Sequence, residues 1–222
     1  VSAANIIGPY NSTNGTGATT ATNPGPVLDL LTGQITESQL YQSLGARINL
    51  IDAPVTGGAV GAARGTLTIM AAGPRHAFEA VRPILEAFGQ RIHHLGENNG
   101  AGAQMKVINQ LLCGVHLAAA GEALALARQQ NLPLEATLEI LCSGSAGSWM
   151  LGDRGPRMVS EGFDDVASAV NIFVKDLGLV MDEAKRNGAR VPVTALVDQF
   201  YADVQQMGGS RWDTSSLIKR LR

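Results

Sequence analysis

The segment Gly100–Gln130, GAGAQMKVINQLLCGVHLAAAGEALALARQQ, decides the fold of this chain. From Gly102 onward its spacing predicts one long helix, and small or apolar residues cover most of the circumference of that helix. A helix that is apolar on nearly all sides lies in the centre of a bundle or against a second subunit. The segment therefore predicts a helical domain that begins near residue 100.

The same helix contains the longest apolar run of the chain, Val107–Ala127, which polar residues interrupt at Asn109, Gln110, His116 and Glu122. A membrane-spanning helix needs about 20 predominantly apolar residues, and polar side chains within it are rare. Because four polar residues interrupt this run, we expect no membrane helix here. The N-terminus lacks a basic start followed by an apolar stretch, so we expect no signal peptide. A disulfide between Cys113 and Cys142 is possible in principle, but nothing in the sequence indicates a secreted scaffold, so both are expected to be buried free thiols in the reducing cytoplasm.

The rest of the chain divides into a part with alternating strands and helices and a part with helices alone. The strands predicted upstream are Val27–Leu31, Ile48–Ile51, Thr66–Ala72 and Arg91–Leu95, with helices at Thr36–Leu44 and Arg75–Phe88. The helices predicted downstream are Pro133–Cys142, Ala167–Arg186, Pro192–Met207 and Asp213–Leu221, the last with an acidic cap. Strands that alternate with helices are typical of an α/β sheet, so the pattern predicts an α/β part followed by an all-α domain.

Three segments follow from this pattern. Residues 1–26 are rich in Asn, Ser, Thr and Gly and are interpreted as a loop or low-complexity segment. Residues 27–99 form the α/β part, and residues 100–222 form the helical domain, with the boundary near Asn99. No internal repeat is evident.

The charge balance limits the class of partner. The chain has 17 Lys and Arg residues against 19 Asp and Glu residues, which gives a net charge of -2 over 222 residues. A broad nucleic-acid footprint needs a basic excess, so we expect no nucleic-acid partner. His93 and His94 adjoin a strand end, but no second pair of ligands with metal spacing accompanies them, so no metal site is predicted.

The first candidate binding segment is Asp52–Gly58, DAPVTGG, where a predicted strand runs into a pair of glycines. Backbone N–H groups left free by such a turn bind an anion such as a carboxylate, and the Thr56 hydroxyl adds a donor. A tight turn that needs glycine for a positive φ explains the same letters. The local pattern alone favours that structural explanation.

Lys106 is the candidate for acid–base chemistry. It lies in the first turns of the long apolar helix, where a lysine must reach solvent, pair with an acid or line a cavity. In a cavity its pKa falls toward the range useful for proton transfer. Gln110 follows four residues later on the same face of the helix.

The third candidate segment is Phe173–Leu179, FVKDLGL, in which Lys175 and Asp176 interrupt another apolar helix. An exposed stripe on an amphipathic helix explains these two charges as well as a functional site does. Trp149 borders a ligand pocket or serves in packing, and the sequence leaves both explanations open.

Taken in order, four segments resemble the β-hydroxyacid dehydrogenase family, which includes 3-hydroxyisobutyrate and 6-phosphogluconate dehydrogenases. They are DAPVTGG, GTLTIMAAG, GAGAQMKVINQ and FVKDLGLV, and the resemblance runs from about Val27 to the C-terminus. Three further runs are most similar to the L-threonate dehydrogenase branch of that family. They are KVINQLLCGVHLAAAGEALALA, GSWM at Gly147–Met150, and SAVNIFVKDLGLV.

The resemblance implies roles for the residues that contact the substrate. Lys106 matches the family's catalytic lysine, which takes the hydroxyl proton during oxidation and returns it during reduction. Gln110 stands where most members have an Asn that positions the substrate hydroxyl. Thr56, Gly57 and Gly58 match the loop that holds the substrate carboxylate. The implied substrate is a small hydroxyacid such as L-threonate.

The resemblance also implies a cofactor and an assembly. The cofactor is NAD or NADP, with NAD expected, and Thr32 and Lys175 match residues close to it. Residues 27–99 are implied to be the remnant of a nucleotide-binding domain with a partial, Rossmann-like sheet. The helices of residues 100–222 are implied to form the substrate domain and a homodimer. The protein is expected to be cytoplasmic.

One departure from the family pattern keeps a second interpretation open. The first strand-to-helix turn of the family is G-x-G-x-x-G and binds the pyrophosphate at a helix N-terminus. No such turn occurs in this chain, because Asn14–Ala18, NGTGA, has two glycines but no third glycine and no preceding strand. The chain is therefore a catalytic portion of a dehydrogenase, or a non-catalytic dimerisation or ligand-binding module that has lost cofactor binding.

Overall fold

The computed structural model describes residues 49–221 of the chain. The predicted loop 1–26, the strand Val27–Leu31, the helix Thr36–Leu44 and the cofactor residue Thr32 lie outside the described residues. In the described part a small sheet with its helices is followed by a helical domain. The predicted order of an α/β part and an all-α part is confirmed, whereas the boundaries at residues 26 and 99 stay predictions.

Within residues 49–221, three strands form one mixed sheet in the order β1–β2–β3. Strand β1 (Val55–Thr56) pairs antiparallel with β2 (Leu67–Ala71), and β3 (Gly89–His94) pairs parallel with β2. Helix α1 (Gly58–Arg64) connects β1 to β2, and helix α2 (Arg75–Glu86) connects β2 to β3. The parallel pair requires the crossover helix α2, because parallel strands cannot be joined by a tight turn.

Strand β2 is the centre of the sheet because its sequence, LTIMA, is apolar at four of its five positions. Ile69 is completely buried, and Phe78 and Leu85 of α2 belong to the same small core. Phe78 and Leu85 are seven residues apart, which places them on one face of the helix. The predictions of a strand at Thr66–Ala72 and of a helix at Arg75–Phe88 are confirmed to within two residues at each end.

The strand predicted at Ile48–Ile51 is wrong for its described part, residues 49–51, which form no strand. Asp52 forms an isolated antiparallel bridge with Ala72, and the first regular strand among the described residues is β1. Pro54 separates the bridge from β1, and a proline has no N–H to donate to the ladder. The apolar residues Leu50 and Ile51 therefore do not extend the sheet.

The helical domain surrounds one central helix, α3 (Ala101–Gln129), which contacts all four other long helices and the C-terminal 3₁₀ helix. Those elements are α4 (Leu134–Ser143), α5 (Trp149–Ser160), α6 (Val170–Asn187), α7 (Pro192–Gln206) and a 3₁₀ helix at Thr214–Leu221, preceded by a 3₁₀ turn at Gly209–Arg211. Of the two positions predicted for the long helix, the centre of a bundle is the one that the structure shows. Its sequence is apolar all round because helices pack on most of its sides.

Helices α1 and α5 are not predicted by the sequence pattern. Two glycines and Pro156 lower the intrinsic helix propensity of α5, and α1 is a short helix of seven residues that contains Gly58 and Gly61. Tertiary packing outweighs that preference in α5, where Met150 and Met158 are buried. The Ser148 hydroxyl also caps α5 by accepting a hydrogen bond from the Leu151 N–H at 3.0 Å.

Both cysteines are free, as predicted. Cys113 is half-buried, but Cys142 is exposed, so the prediction that both thiols are buried is wrong for Cys142. Cys142 lies in the last turn of α4, a helix none of whose residues is fully buried. The apolar letters around Cys142 therefore mark an outer helix of the domain.

By length and composition alone, α3 is long and apolar enough to cross a membrane. Within its most apolar window, 44% of the helix is buried inside the protein. The same length and composition are found in the core helix of a bundle, and α3 is packed as such a helix. The expectation of no membrane contact stays a prediction.

Candidate functional site

A cleft of about 890 Å³ opens between the β1–α1 segment and helices α3, α5 and α6. Six of the seven site residues predicted from the sequence line it, and only Thr32 lies outside the described residues. They are Thr56, Gly57, Gly58, Lys106, Gln110 and Lys175. These residues come from three separate stretches of the chain, and the fold brings them to one cleft.

The start of α3 fixes the position of Lys106. The Asp52 carboxylate accepts hydrogen bonds from the backbone N–H groups of Gly100 and Ala103, each at 2.8 Å. A negative charge at a helix N-terminus is favourable because the first N–H groups have no partner inside the helix. Gly102 lets α3 approach the sheet closely, since a Cβ at this position would lie 2.6 Å from an Asp52 oxygen and would clash with the carbonyl oxygen of Met70.

Lys106 is half-buried, and its Nζ donates a hydrogen bond to the carbonyl oxygen of Val55 at 2.8 Å. Burial lowers the pKa of the Lys106 ammonium group below its ordinary value, because the charged form loses hydration. Cys113 and Asp176 act in the opposite direction, while the positive charge of Lys175 lowers that pKa further. The sequence left three environments open for Lys106: solvent, an acidic partner or a cavity. In the structure Lys106 lines a cavity.

The loop from Thr56 to Gly58 forms the wall of the cleft that faces α5. Gly57 and Gly58 have positive φ angles of +124° and +65°, so the structural explanation for this glycine pair holds. The first hydrogen bond of α1 runs from the Gly61 N–H to the Gly57 carbonyl at 3.0 Å. The N–H groups of Gly58 and its two successors therefore precede the helical ladder, which is the arrangement that an anion-binding turn requires.

Helices α3 and α6 are joined across the cleft by a short polar chain. The Gln110 amide donates from Nε2 to an Asp176 oxygen at 2.6 Å, and Lys175 Nζ lies 2.6 Å from the other oxygen of that carboxylate. Asn109 donates from Nδ2 to Gln110 Oε1 at 2.9 Å. Gln110 is thus held at both ends of its amide group.

The cleft includes residues that the sequence argument did not select. Cys113 follows Gln110 by three residues and Lys106 by seven, so the helical spacing that joined Lys106 to Gln110 would also have found it. Trp149 lines the cleft and remains 59% exposed, with its ring edge 3.9 Å from the position of a Cβ on Gly58. Of the two roles that the sequence left open for Trp149, a pocket wall and packing, the structure shows the pocket wall.

Arg154 is a buried cation at the inner wall of the cleft. It lies four residues from both Met150 and Met158, which are buried on the same face of α5, and that spacing is the signal that could have identified it. Its guanidinium pairs with Asp153 and lies 3.7 Å from a carboxylate oxygen of Asp213. A buried charge requires such partners.

Asp213 organises the loop that completes the cleft. Its carboxylate is completely buried and accepts hydrogen bonds from the N–H groups of Ala167 at 2.9 Å and Ser168 at 3.2 Å. It also accepts from the N–H and the hydroxyl of Ser215, at 2.9 and 2.6 Å. Because Ala167 and Ser168 line the cleft, the acidic cap predicted for the last helix also shapes the site.

The cleft carries an excess of positive charge. Its lining within residues 49–221 includes the cations Arg64, Arg91, Lys106, Arg154 and Lys175. Asp176 is the one acidic residue among the described residues that line it. An anionic ligand is therefore the electrostatic match for this cleft.

Two family models match this chain. Residues 100–221 match the one described as NAD-binding of NADP-dependent 3-hydroxyisobutyrate dehydrogenase. Residues 29–96 match the one described as the NAD binding domain of 6-phosphogluconate dehydrogenase. The second match confirms the partial Rossmann-like region that the resemblance implied before residue 100.

Curated relatives include several L-threonate dehydrogenases. The protein of Escherichia coli K12 is 41% identical over 175 residues, which are 79% of this chain and 58% of the relative. That of Cupriavidus necator is 35% identical over 208 residues, which are 91% of this chain and 69% of the relative. The chain thus spans about three-fifths to seven-tenths of the length of these relatives.

Solved structures agree with these matches. The crystal structure of 3-hydroxyisobutyrate dehydrogenase from Salmonella typhimurium has a TM-score of 0.76 at 37% identity, covering 82% of this chain and 62% of that one. The Mycobacterium tuberculosis 3-hydroxyisobutyrate dehydrogenase described with L-serine has a TM-score of 0.72 at 28% identity, covering 83% and 65%. From these matches, the chain belongs to the 3-hydroxyisobutyrate dehydrogenase family of NAD(P)-dependent β-hydroxyacid dehydrogenases.

Proposed function

We propose that this chain is the catalytic portion of an NAD(P)-dependent dehydrogenase that oxidises the hydroxyl group of a small hydroxyacid such as L-threonate. The observation that carries the proposal is the half-buried Lys106, whose lowered pKa and place in the cationic cleft suit a general base. The names of the relatives support a four-carbon sugar acid as the substrate.

The residues of this chain would divide the work on the substrate between them. The Thr56–Gly58 loop binds the carboxylate, with the N–H groups at the start of α1 as donors. The hydroxyl group lies between Lys106 and Gln110, where neutral Lys106 Nζ accepts the hydroxyl proton as the carbinol carbon becomes a carbonyl. The hydrogen bond from Nζ to the Val55 carbonyl occupies one N–H of the amine and so orients its lone pair. A lowered pKa increases the neutral fraction that this step requires.

Lys175 and Thr32 are the residues that we propose to hold the nicotinamide cofactor, and of the two only Lys175 lies among the described residues. The Lys175 side chain is 65% exposed and lines the cleft, and its positive charge fits a dinucleotide that carries two phosphates. When bound, the nicotinamide ring supplies the acceptor for the hydride that leaves the carbinol carbon. NAD is proposed ahead of NADP, and a titration with each tests that preference.

We also propose a cytoplasmic homodimer that forms through the helices of residues 100–222. Several large apolar side chains on these helices are about half exposed or more, which is typical of a face that meets a partner. They are Ile108, Leu112, Ile140, Leu179 and Leu196. Sedimentation velocity over a range of concentrations measures the mass of the species, and a monomer at all concentrations would exclude the dimer.

The function is tested by calorimetric titration with NAD and with NADP, followed by initial rates on a panel of four-carbon sugar acids. The proposal predicts that one cofactor binds and that a sugar acid with a hydroxyl next to the carboxylate, or one carbon further, is oxidised. Failure of both cofactors to bind, in a chain that forms stable dimers, would instead support the non-catalytic module.

A further inference from the structure

Asp176 stands between two of the proposed functional groups and belongs to neither. Its carboxylate directs one oxygen to the Gln110 amide nitrogen and the other to Lys175 Nζ, each at 2.6 Å. The Asp176 side chain is only 12% exposed, so its carboxylate is largely shielded from water, although the Lys175 side chain is 65% exposed. Gln110 belongs to α3 and Lys175 to α6, and one carboxylate therefore bridges the two helices that frame the cleft.

We propose that Asp176 is a positioning residue that fixes the amide orientation of Gln110 toward the substrate hydroxyl and holds Lys175 beside it. This inference rests on the function proposed above, because it names how the site of that reaction is oriented.

The chemistry of a carboxylate explains how the orientation is fixed. An ionised carboxylate only accepts hydrogen bonds, so the amide nitrogen of Gln110 must face Asp176 and the amide oxygen must face away. Asn109 donates to that oxygen and supports the same orientation from the opposite side. Each end of the Gln110 amide keeps one further site, an N–H donor and an oxygen lone pair, for a ligand. Asp176 therefore determines which of the two meets the substrate hydroxyl.

Asp176 also acts on Lys106 through its charge. The groups that influence Lys106 are Cys113 on its own helix and both Lys175 and Asp176 on α6, while β1 contributes the neutral Val55 carbonyl. Asp176 raises the pKa of Lys106, and Lys175 lowers it. Removal of the Asp176 charge removes one of the two groups that oppose Lys175, so the pKa of Lys106 is expected to fall further.

The test compares Asp176→Asn with the wild-type chain. Asn has the same shape but carries no charge, and its amide group either donates or accepts, so it no longer selects one orientation of Gln110. Asp176→Glu keeps the acceptor and is the conservative variant. Asp182→Asn, an exposed carboxylate on the same helix, is the matched control.

Two measurements do not depend on turnover. The side-chain amide signals of Gln110 are identified in ¹⁵N spectra by their loss in Gln110→Ala, and Asp176→Asn is expected to shift them and speed their exchange. The four lysines of the chain allow the pKa of Lys106 to be followed by ¹³C labelling. It is expected to fall in Asp176→Asn, to return in Asp176→Glu and to stay unchanged in Asp182→Asn. Unchanged amide signals and an unchanged pKa of Lys106 in Asp176→Asn would overturn the proposal.

Turnover supplies the third measurement. A misplaced group near the chemistry costs about 10- to 100-fold in rate, so kcat of Asp176→Asn should fall by that amount with a smaller change in KM. In the Gln110→Ala background the same substitution should have much less effect, because its partner is gone. Full additivity of the two losses would overturn the proposal. A wild-type chain with no turnover would contradict the proposed function, while the amide and pKa measurements would still decide the role of Asp176.

Discussion

The carboxylate of Asp52 accepts the backbone N–H of Ala103 at 2.8 Å, and this bond joins the end of the sheet region to the first turn of the central helix. It has two consequences for the molecule. It supplies a partner for an N–H group at a helix N-terminus, and it fixes the position of α3 relative to β1. Since Lys106 is one turn further along α3, the same contact places its Nζ against the Val55 carbonyl.

The variant Asp52→Ala should lose both the partner of the Ala103 N–H group and the contact that fixes the position of α3. The free energy of unfolding is expected to fall by about 0.5–2 kcal/mol, which is the range for the loss of a helix N-cap. Asp52→Asn keeps one side-chain acceptor and should lose less. Chemical denaturation measures both, and equal losses in the two variants would show that the acceptor is not the stabilising feature.

Gly102 should be the least replaceable glycine of α3. Gly102→Ala would place a methyl group against the Met70 carbonyl and the Asp52 carboxylate, and the clash would push α3 away from the sheet. A loss of about 1–3 kcal/mol or more is expected, as for an overpacked core site. Gly178→Ala on α6 is the matched control, since its Cβ would meet no atom within 4 Å.

In the control, alanine should raise stability by about 0.5–1 kcal/mol, because glycine is the poorer helix former. The two melting temperatures should therefore move in opposite directions. A stable Gly102→Ala variant would mean that α3 does not approach the sheet as closely as the structure has it.

The sequence predicts the helical domain well because its evidence is local. The period of α3, its glycine start and the small or apolar residues over most of its circumference are all visible in the sequence from Gly100 to Gln130. The extent of α5 is not visible, since glycine and proline lower its propensity and the gain comes from burial of Met150 and Met158 against distant segments.

The residues of the site also divide into those that local spacing predicts and those that only long-range contacts bring together. Lys106 and Gln110 share a helix face and are found by spacing alone, but the contact between Gln110 and Asp176 joins residues 66 positions apart. No local pattern predicts that contact. The position of Cys142 fails for a related reason, because its apolar neighbours do not distinguish the inner side of a helix from the outer one.

Asp213→Ala should be among the most destabilising substitutions in the helical domain. The completely buried carboxylate accepts from two backbone N–H groups of the loop and from Ser215, and it compensates the charge of Arg154. Removing one partner of a buried charge costs about 3–5 kcal/mol. Asp182→Ala, at an exposed position of α6, should change the free energy of unfolding by less than about 0.5 kcal/mol.

The loss at Asp213 should also reach the cleft, because Ala167 and Ser168 depend on the same carboxylate. Hydrogen exchange of those two amides is expected to be faster in a milder variant, Asp213→Asn, at temperatures where that variant stays folded. Unchanged exchange there would separate the stability of the domain from the order of the loop.

The lowered pKa of Lys106 predicts how stability depends on pH. Between that lowered value and the ordinary value of 10.5, the unfolded chain holds the lysine proton and the folded chain does not. The unfolded state then binds more protons, so stability contributed by this group rises with pH through that interval and is smaller below it. Lys106→Met should remove this rise, whereas Lys185→Met, at an exposed position, should keep it.

Lys106 should also decide turnover if it transfers the hydroxyl proton. Lys106→Ala removes the only amine that hydrogen-bonds the Val55 carbonyl among the described residues, and the loss of general acid–base catalysis costs about 10²–10⁴ in kcat/KM. Lys185→Ala provides the control for the loss of a lysine in itself. The space left by the side chain opens to the cleft, so added methylamine should restore part of the rate of Lys106→Ala, and more strongly as pH rises and the neutral amine accumulates. A rate for Lys106→Ala close to that of the wild type, or a lost rate that no amine restores at any pH while both ligands still bind, would remove Lys106 from the proton-transfer step.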